Sequence, residues 1–132
     1  MEENSSNYLN RPLSRSEVDA TKGAVVVNFG TDWCTHCQAA KPLVAEAMAR
    51  HPAVRQIKVE DGKGRPLGRS FAVKLWPTLV FLCDGKEIDR LVRPSQTRTI
   101  DQALTRIDAP SPGGDGAQTD GRSPGIPLEP GT

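Results

Sequence analysis

A chain of 132 residues, 36% of them hydrophobic, with a formal net charge of +1, is long enough for one compact domain with its own core. The near-zero charge, with both signs interspersed, excludes the basic footprint of a nucleic-acid binder or of a protein held on an anionic membrane. No apolar run reaches the length of a membrane span, and the acidic, polar start Met1-Glu2-Glu3-Asn4 lacks the basic end and apolar centre of a secretory signal, so a cytoplasmic protein is expected.

In chain order, residues 1–12 read as a flexible lead-in. Leu13 to Lys22 reads as a short helix, capped by Ser14 or Ser16 and anchored by Val18. The run Ala24-Val25-Val26-Val27-Asn28-Phe29, closed by Gly30, predicts a strand buried on both faces. Ala39, Ala40, Leu43, Val44, Ala47 and Met48 then recur at helical spacing. They predict a helix from Cys34 to Arg50, stopping before Pro52 and kinked at Pro42. Val54 to Val59 alternates as a strand does. Gly62-Lys63-Gly64 is a turn, and Leu67 and Phe71, one helical turn apart, predict a short helix. Thr78 to Leu82 reads as a second buried strand, Asp84-Gly85 as a hairpin turn and Ile88 to Val92 as the returning strand. Ile100, Ala103, Leu104 and Ile107 form the apolar stripe of a closing helix capped by Ser95 or Thr97. From Ala109 onward prolines and glycines alternate and apolar residues are sparse. The tail 109–132 cannot bury enough surface to offset its ordering entropy, and reads as disordered.

The early part is a strand–helix–strand unit, which requires a parallel pair, and the later hairpin adds antiparallel strands. The expected domain over 13–108 is therefore α/β, with a mixed central β-sheet flanked by helices on both faces.

Three cysteines are too few, and odd in number, for a disulfide framework. Cys34 and Cys37 fall where the first strand gives way to the helix, whose free N–H groups and dipole stabilise a thiolate. This spacing lets Cys34 face solvent with Cys37 one turn below, able to close a small disulfide ring and to exchange through a mixed disulfide. Structural zinc needs four ligands, and beyond the pair the chain offers Cys83, His36 and His51 without a second Cys-x-x-Cys. A c-type haem needs histidine after the second cysteine, where Gln38 stands. An iron–sulfur cluster would lack ligands unless two chains shared it. Two inert, half-buried cysteines are the bland alternative, which a helix start after a buried strand disfavours. No metal, nucleotide or organic cofactor is called for.

Val26-Val27-Asn28-Phe29 followed by Trp33-Cys34-Thr35-His36-Cys37 resembles the active-site strand and motif of the thioredoxin superfamily, with Pro42 where that family places a helix proline. Trp76-Pro77-Thr78, the strand Leu79–Leu82 and Asp84-Gly85 resemble its cis-proline loop and hairpin. The resemblance spans about residues 14–107. It implies a thioredoxin-like fold and a thiol–disulfide oxidoreductase, with Cys34 as nucleophile, Cys37 as resolving thiol and Trp33 as a shield. It also implies a cis Pro77 against the cysteines and a groove at Trp76, Pro77 and Thr78 that pairs with extended substrate. Protein or small-molecule disulfides would be the substrates and a dithiol reductase or an oxidant the upstream partner, with the protein a monomer. A non-catalytic binding or scaffold module of the same fold is the alternative.

The chain departs from the family pattern at several places. Thr35-His36 replaces the Gly-Pro of ordinary thioredoxins. A partly protonated imidazole beside Cys34 favours its thiolate, and with it a more oxidising couple. Asn28 stands where relatives often carry a buried carboxylate, and an amide cannot act as a base, so water or Lys58 is expected to assist Cys37. Trp76 either narrows the groove or packs in the core. Arg93-Pro94 replaces a glycine region, which points to a different recognition surface. Cys83 reads as a bystander or a regulatory thiol.

Overall fold

The computed structural model describes residues 13–108; the lead-in 1–12 and the tail 109–132 lie outside the described residues. The elements run α1 (Arg15–Asp19), β1 (Ala24–Gly30), α2 (Thr35–Ala49), β2 (Arg55–Glu60), α3 (Pro66–Ser70), β3 (Thr78–Cys83), β4 (Lys86–Val92) and α4 (Thr97–Ile107). The sheet order is β2-β1-β3-β4. β1 pairs parallel with β2 and antiparallel with β3, and β3 pairs antiparallel with β4, which makes the sheet mixed as expected.

β1 is buried at every residue after Ala24 because helices cover both sides of it. Val25, Val27 and Phe29 pack with Val18, Leu67 and Phe71 on the face of α1 and α3. Val26 packs with Val44, Ala47, Ile100 and Leu104 on the face of α2 and α4. β3 splits the same way, Val80 and Leu82 to one core and Leu79 and Phe81 to the other. A continuous apolar run is the sequence form of a strand with two such faces.

Several boundaries differ from expectation. α1 is shorter than 13–22. Ser14 and Glu17 close a reciprocal capping box, but Val18 is its one buried side chain, and Gly23 at φ 82° turns the chain into β1. β4 starts at Lys86 rather than Ile88. Asp84 (φ 51°) and Gly85 (φ 82°) form a two-residue turn, so pairing resumes at once between Cys83 and Lys86. Exposed Lys86, Glu87 and Ile88 on this edge strand hide that start from any apolar pattern. A Cβ on Gly85 would stand 2.0 Å from the Asp19 carbonyl oxygen, so the turn fits under α1 without a side chain. Neither Ser95 nor Thr97 caps α4. Its N-cap is Gln96, with no side-chain cap bond, and the Thr97 hydroxyl donates instead to Glu46 of α2 at 3.2 Å. Pro42 lies inside α2, where its missing N–H leaves the Gln38 carbonyl without its helical donor.

Candidate active site

β1 ends at Gly30, and four residues later Cys34 opens α2 as its N-cap. The Cys34 Sγ accepts the Cys37 backbone N–H at 3.2 Å, the role a serine or aspartate oxygen takes at other N-caps. The sulfur that would bear charge therefore already faces a helix N–H and the positive end of the helix dipole. Both cysteines are free thiols. Cys34 does not face solvent as the spacing suggested: it is 7% exposed and Cys37 is 8% exposed. The cap bond turns Sγ back toward the first turn. Thr35 and His36 between the cysteines are exposed, and Trp33 is 70% exposed.

The Trp76–Pro77 bond is cis. Trp76 is half-buried and held from two sides. Its ring meets that of Trp33 edge-on, with centroids 5.6 Å apart, and its indole N–H donates to Asp61 at 2.8 Å. Trp76 thus serves packing and borders the site at once. Thr78 is buried, its hydroxyl donating to the Leu75 carbonyl at 2.6 Å. Arg93, at φ 50°, sends its backbone N–H to the Pro77 carbonyl at 2.9 Å and its Nε–H to the Trp76 carbonyl at 2.8 Å.

Behind α2, Asn28 and Lys58 are register partners across β1 and β2, 7% and 8% exposed. Strand alternation from Val26 and Val54 puts both on the α2 face. The Asn28 amide donates to Gln56 at 3.1 Å, and its Oδ1 has no hydrogen-bond partner among the described residues. Burial holds the Lys58 ammonium below the usual lysine range, and Lys41 adds to that; Asp32 and Cys37 pull the other way. Lys58 is thus within electrostatic reach of Cys37.

Sequence reasoning named the cysteines, the cis-proline loop, Asn28 and Lys58, but not Asp61 or Gln56, and it did not foresee the Arg93 contact. Gly62, whose added Cβ would lie 3.7 Å from the Trp76 ring, marked the turn that brings Asp61 in. Cys83 pairs with Ala24 at the far end of the sheet, and burial, with Asp84 beside it, pushes its thiol up. Among the described residues no group of three or more His, Cys, Asp or Glu is arranged to hold a metal ion, and no helix is long and apolar enough to cross a membrane.

A family model described as thioredoxin matches residues 8–106. Thioredoxin 2 from Pseudomonas aeruginosa, solved in its reduced form, aligns with a TM-score of 0.71 and 51% identity, covering 77% of this chain and 94% of that one. Thioredoxin H-type 1 of Nicotiana tabacum is 33% identical over 91 residues, 69% of this chain and 71% of its own. Thioredoxin Asp f 28 of Aspergillus fumigatus is 30% identical over 89 residues, 67% of this chain and 82% of its own. With its sheet order, its N-cap cysteine and its cis-proline loop, the chain belongs to the thioredoxin family of thiol–disulfide oxidoreductases.

Proposed function

We propose that Cys34 is the nucleophile and Cys37 the resolving thiol of a dithiol–disulfide exchange on protein disulfides. The single observation that carries this assignment is the Cys34 Sγ capping α2 through the Cys37 N–H. In the reducing direction the Cys34 thiolate attacks one sulfur of the substrate disulfide. A new S–S bond forms to Cys34, and the first substrate sulfur leaves as a thiolate and takes up a proton. Cys37 then loses its proton, and its thiolate attacks Cys34 Sγ. The second substrate thiolate is released and protonated as the Cys34–Cys37 disulfide closes. Two electrons and two protons pass to the substrate, and the protein is left oxidised for an upstream dithiol reductase to restore. The oxidising direction is the same sequence reversed.

In this reading Trp33 and Trp76 line the groove, buried Pro77 and Thr78 support it from behind, and the backbone N–H of Trp76 pairs with extended substrate while its carbonyl is held by Arg93. Thr35 and His36, exposed on the first turn of α2 between the cysteines, tune the couple toward a more oxidising potential than a Gly-Pro insert gives. Lys58, the register partner of Asn28, handles the Cys37 proton, which the Asn28 amide cannot take. The working unit is the domain 13–108, acting as a cytoplasmic monomer without a bound cofactor.

The test is a single turnover of pre-reduced protein, separated from its reductant, on a peptide disulfide. Cys37→Ser is expected to stop at a mixed disulfide through Cys34, visible by mass spectrometry, and Cys34→Ser to form no adduct. Equal reduction rates for the native protein and Cys34→Ser would overturn the assignment and leave a binding module.

A further inference from the structure

The exchange reaction makes no use of the guanidinium of Arg93, yet two bonds fix this residue to the cis-proline loop, whose Trp76 ring meets that of Trp33 beside Cys34. Its backbone N–H and its Nε–H go to consecutive carbonyls, those of Pro77 and Trp76. The chain holds it there at φ 50°, a conformation that strains any residue with a side chain. The Nε bond leaves the two terminal nitrogens of the guanidinium, which find no carboxylate among the described residues. The carboxylate on the other side of Trp76, that of Asp61, is engaged by the indole N–H.

The surroundings are apolar and open. Trp33 is 70% exposed, Leu75 and Val92 are 48% each, and Val92 is the register partner of Thr78 beside the cis-proline. A guanidinium anchored at Nε presents its remaining N–H groups in a fixed fork, the geometry that a carboxylate accepts with two oxygens. We propose that Arg93 is a specificity-determining residue that selects protein substrates carrying an aspartate or glutamate beside the reactive cysteine. The carboxylate takes the terminal N–H groups of Arg93 while the flanking chain lies across Trp33 and Leu75.

This inference rests on the exchange reading above, and the experiment separates the two. Two peptide disulfides are compared at low ionic strength, identical except for glutamate or glutamine beside the cysteine, with dithiothreitol as electron source. The native protein is expected to favour the glutamate peptide in kcat/KM by about three- to tenfold, the range of a partly exposed charge-assisted pair. Salt shrinks that ratio. It falls to about one in Arg93→Gln and in Arg93→Gly, the glycine also relieving the positive φ, while Arg93→Lys keeps part of it because an ammonium lacks the anchored fork. Equal rates on both peptides with the native protein, or a preference that survives in Arg93→Gln and Arg93→Gly, would overturn the assignment to Arg93. Turnover of neither peptide would overturn the exchange reading itself.

Discussion

Exchange at a buried thiol pair is limited by where a proton goes. In the proposed exchange Cys37 gives one up in a site 8% exposed, and the polar side chain on β1 is the Asn28 amide, which holds no basic lone pair. Lys58 sits opposite Asn28 in the β1–β2 register and is close enough to Cys37 for their charges to interact. Burial, with the Lys41 ammonium beside it, already holds Lys58 below its usual range, which brings its neutral amine nearer to working pH. Lys58→Met is therefore expected to slow release of the second substrate thiol by on the order of tenfold and to move the pH–rate profile of that step upward. Asn28→Asp adds a carboxylate opposite Lys58 and speeds the step. Stopped-flow decay of a preformed Cys34 mixed disulfide measures both, and rates unchanged in both variants would place the limiting proton transfer elsewhere. At this scale the sequence was informative where chemistry follows spacing. Cys34, Cys37 and Pro77 announce themselves by position in the chain. Gln56, Asp61 and the contact of Arg93 do not, because each acts on a residue of another strand or loop through a pairing that exists only after folding.

At the scale of elements, α2 and α4 are joined by a clamp at the end of α2. His51 directly follows the helix cap Arg50, and its two ring nitrogens meet Asp108 at 2.6 Å and Asp101 at 2.7 Å. Burial pushes the imidazole down, but its hydrogen bonds to Asp108 and Asp101, with the charges behind them, outweigh that and hold it above its ordinary value of 6.5. Both nitrogens donate only in the imidazolium. A raised folded-state pKa means that stability from the clamp is complete below the unfolded value of about 6.5 and is lost as pH rises through the folded one. The native protein is expected to lose this contribution as pH rises from below the unfolded value through the higher folded-state one, and His51→Gln to lack that slope. Urea unfolding at each pH measures it, and parallel curves for the two proteins would dismiss the clamp. From the sequence His51 could be weighed only as a metal ligand, since its partners lie on and just past a helix fifty residues away. The missed helix cap and strand start share that cause: Gln96 and Lys86 are set by where neighbouring elements let pairing begin, not by their own preferences.

The whole molecule places the site by topology. The parallel β1–β2 pair ends at Gly30 and Glu60, and the Asp61 N–H donates to the Gly30 carbonyl at 2.9 Å. β3 runs antiparallel to β1, so its start, Thr78, lies opposite Phe29, and the end of β4, Val92, lies opposite Thr78. The thiol pair, Asp61, the cis-proline loop and Arg93 are thus gathered at one end of the sheet's strands by strand direction. The element order and the mixed sheet were legible from periodicity, and this convergence follows once the register is known. It also joins the site to a helix on the sheet's other face. Gly68 in α3 is buried, and a Cβ there would stand 2.2 Å from Asp61 Oδ1 and 2.5 Å from its Cγ. The carboxylate would have to leave, and with it the acceptor for the Trp76 indole N–H. Gly68→Ala is therefore expected to cost about 1–3 kcal/mol in stability, to shift the Trp76 indole proton resonance and to lower kcat/KM for disulfide reduction, although no residue of the groove is changed. Asp61→Asn, which keeps an oxygen acceptor in place without the charge, should preserve more of the activity than Gly68→Ala. An unchanged indole resonance in Gly68→Ala would mean that the loop after β2 absorbs the added methyl group, and that α3 carries fold alone.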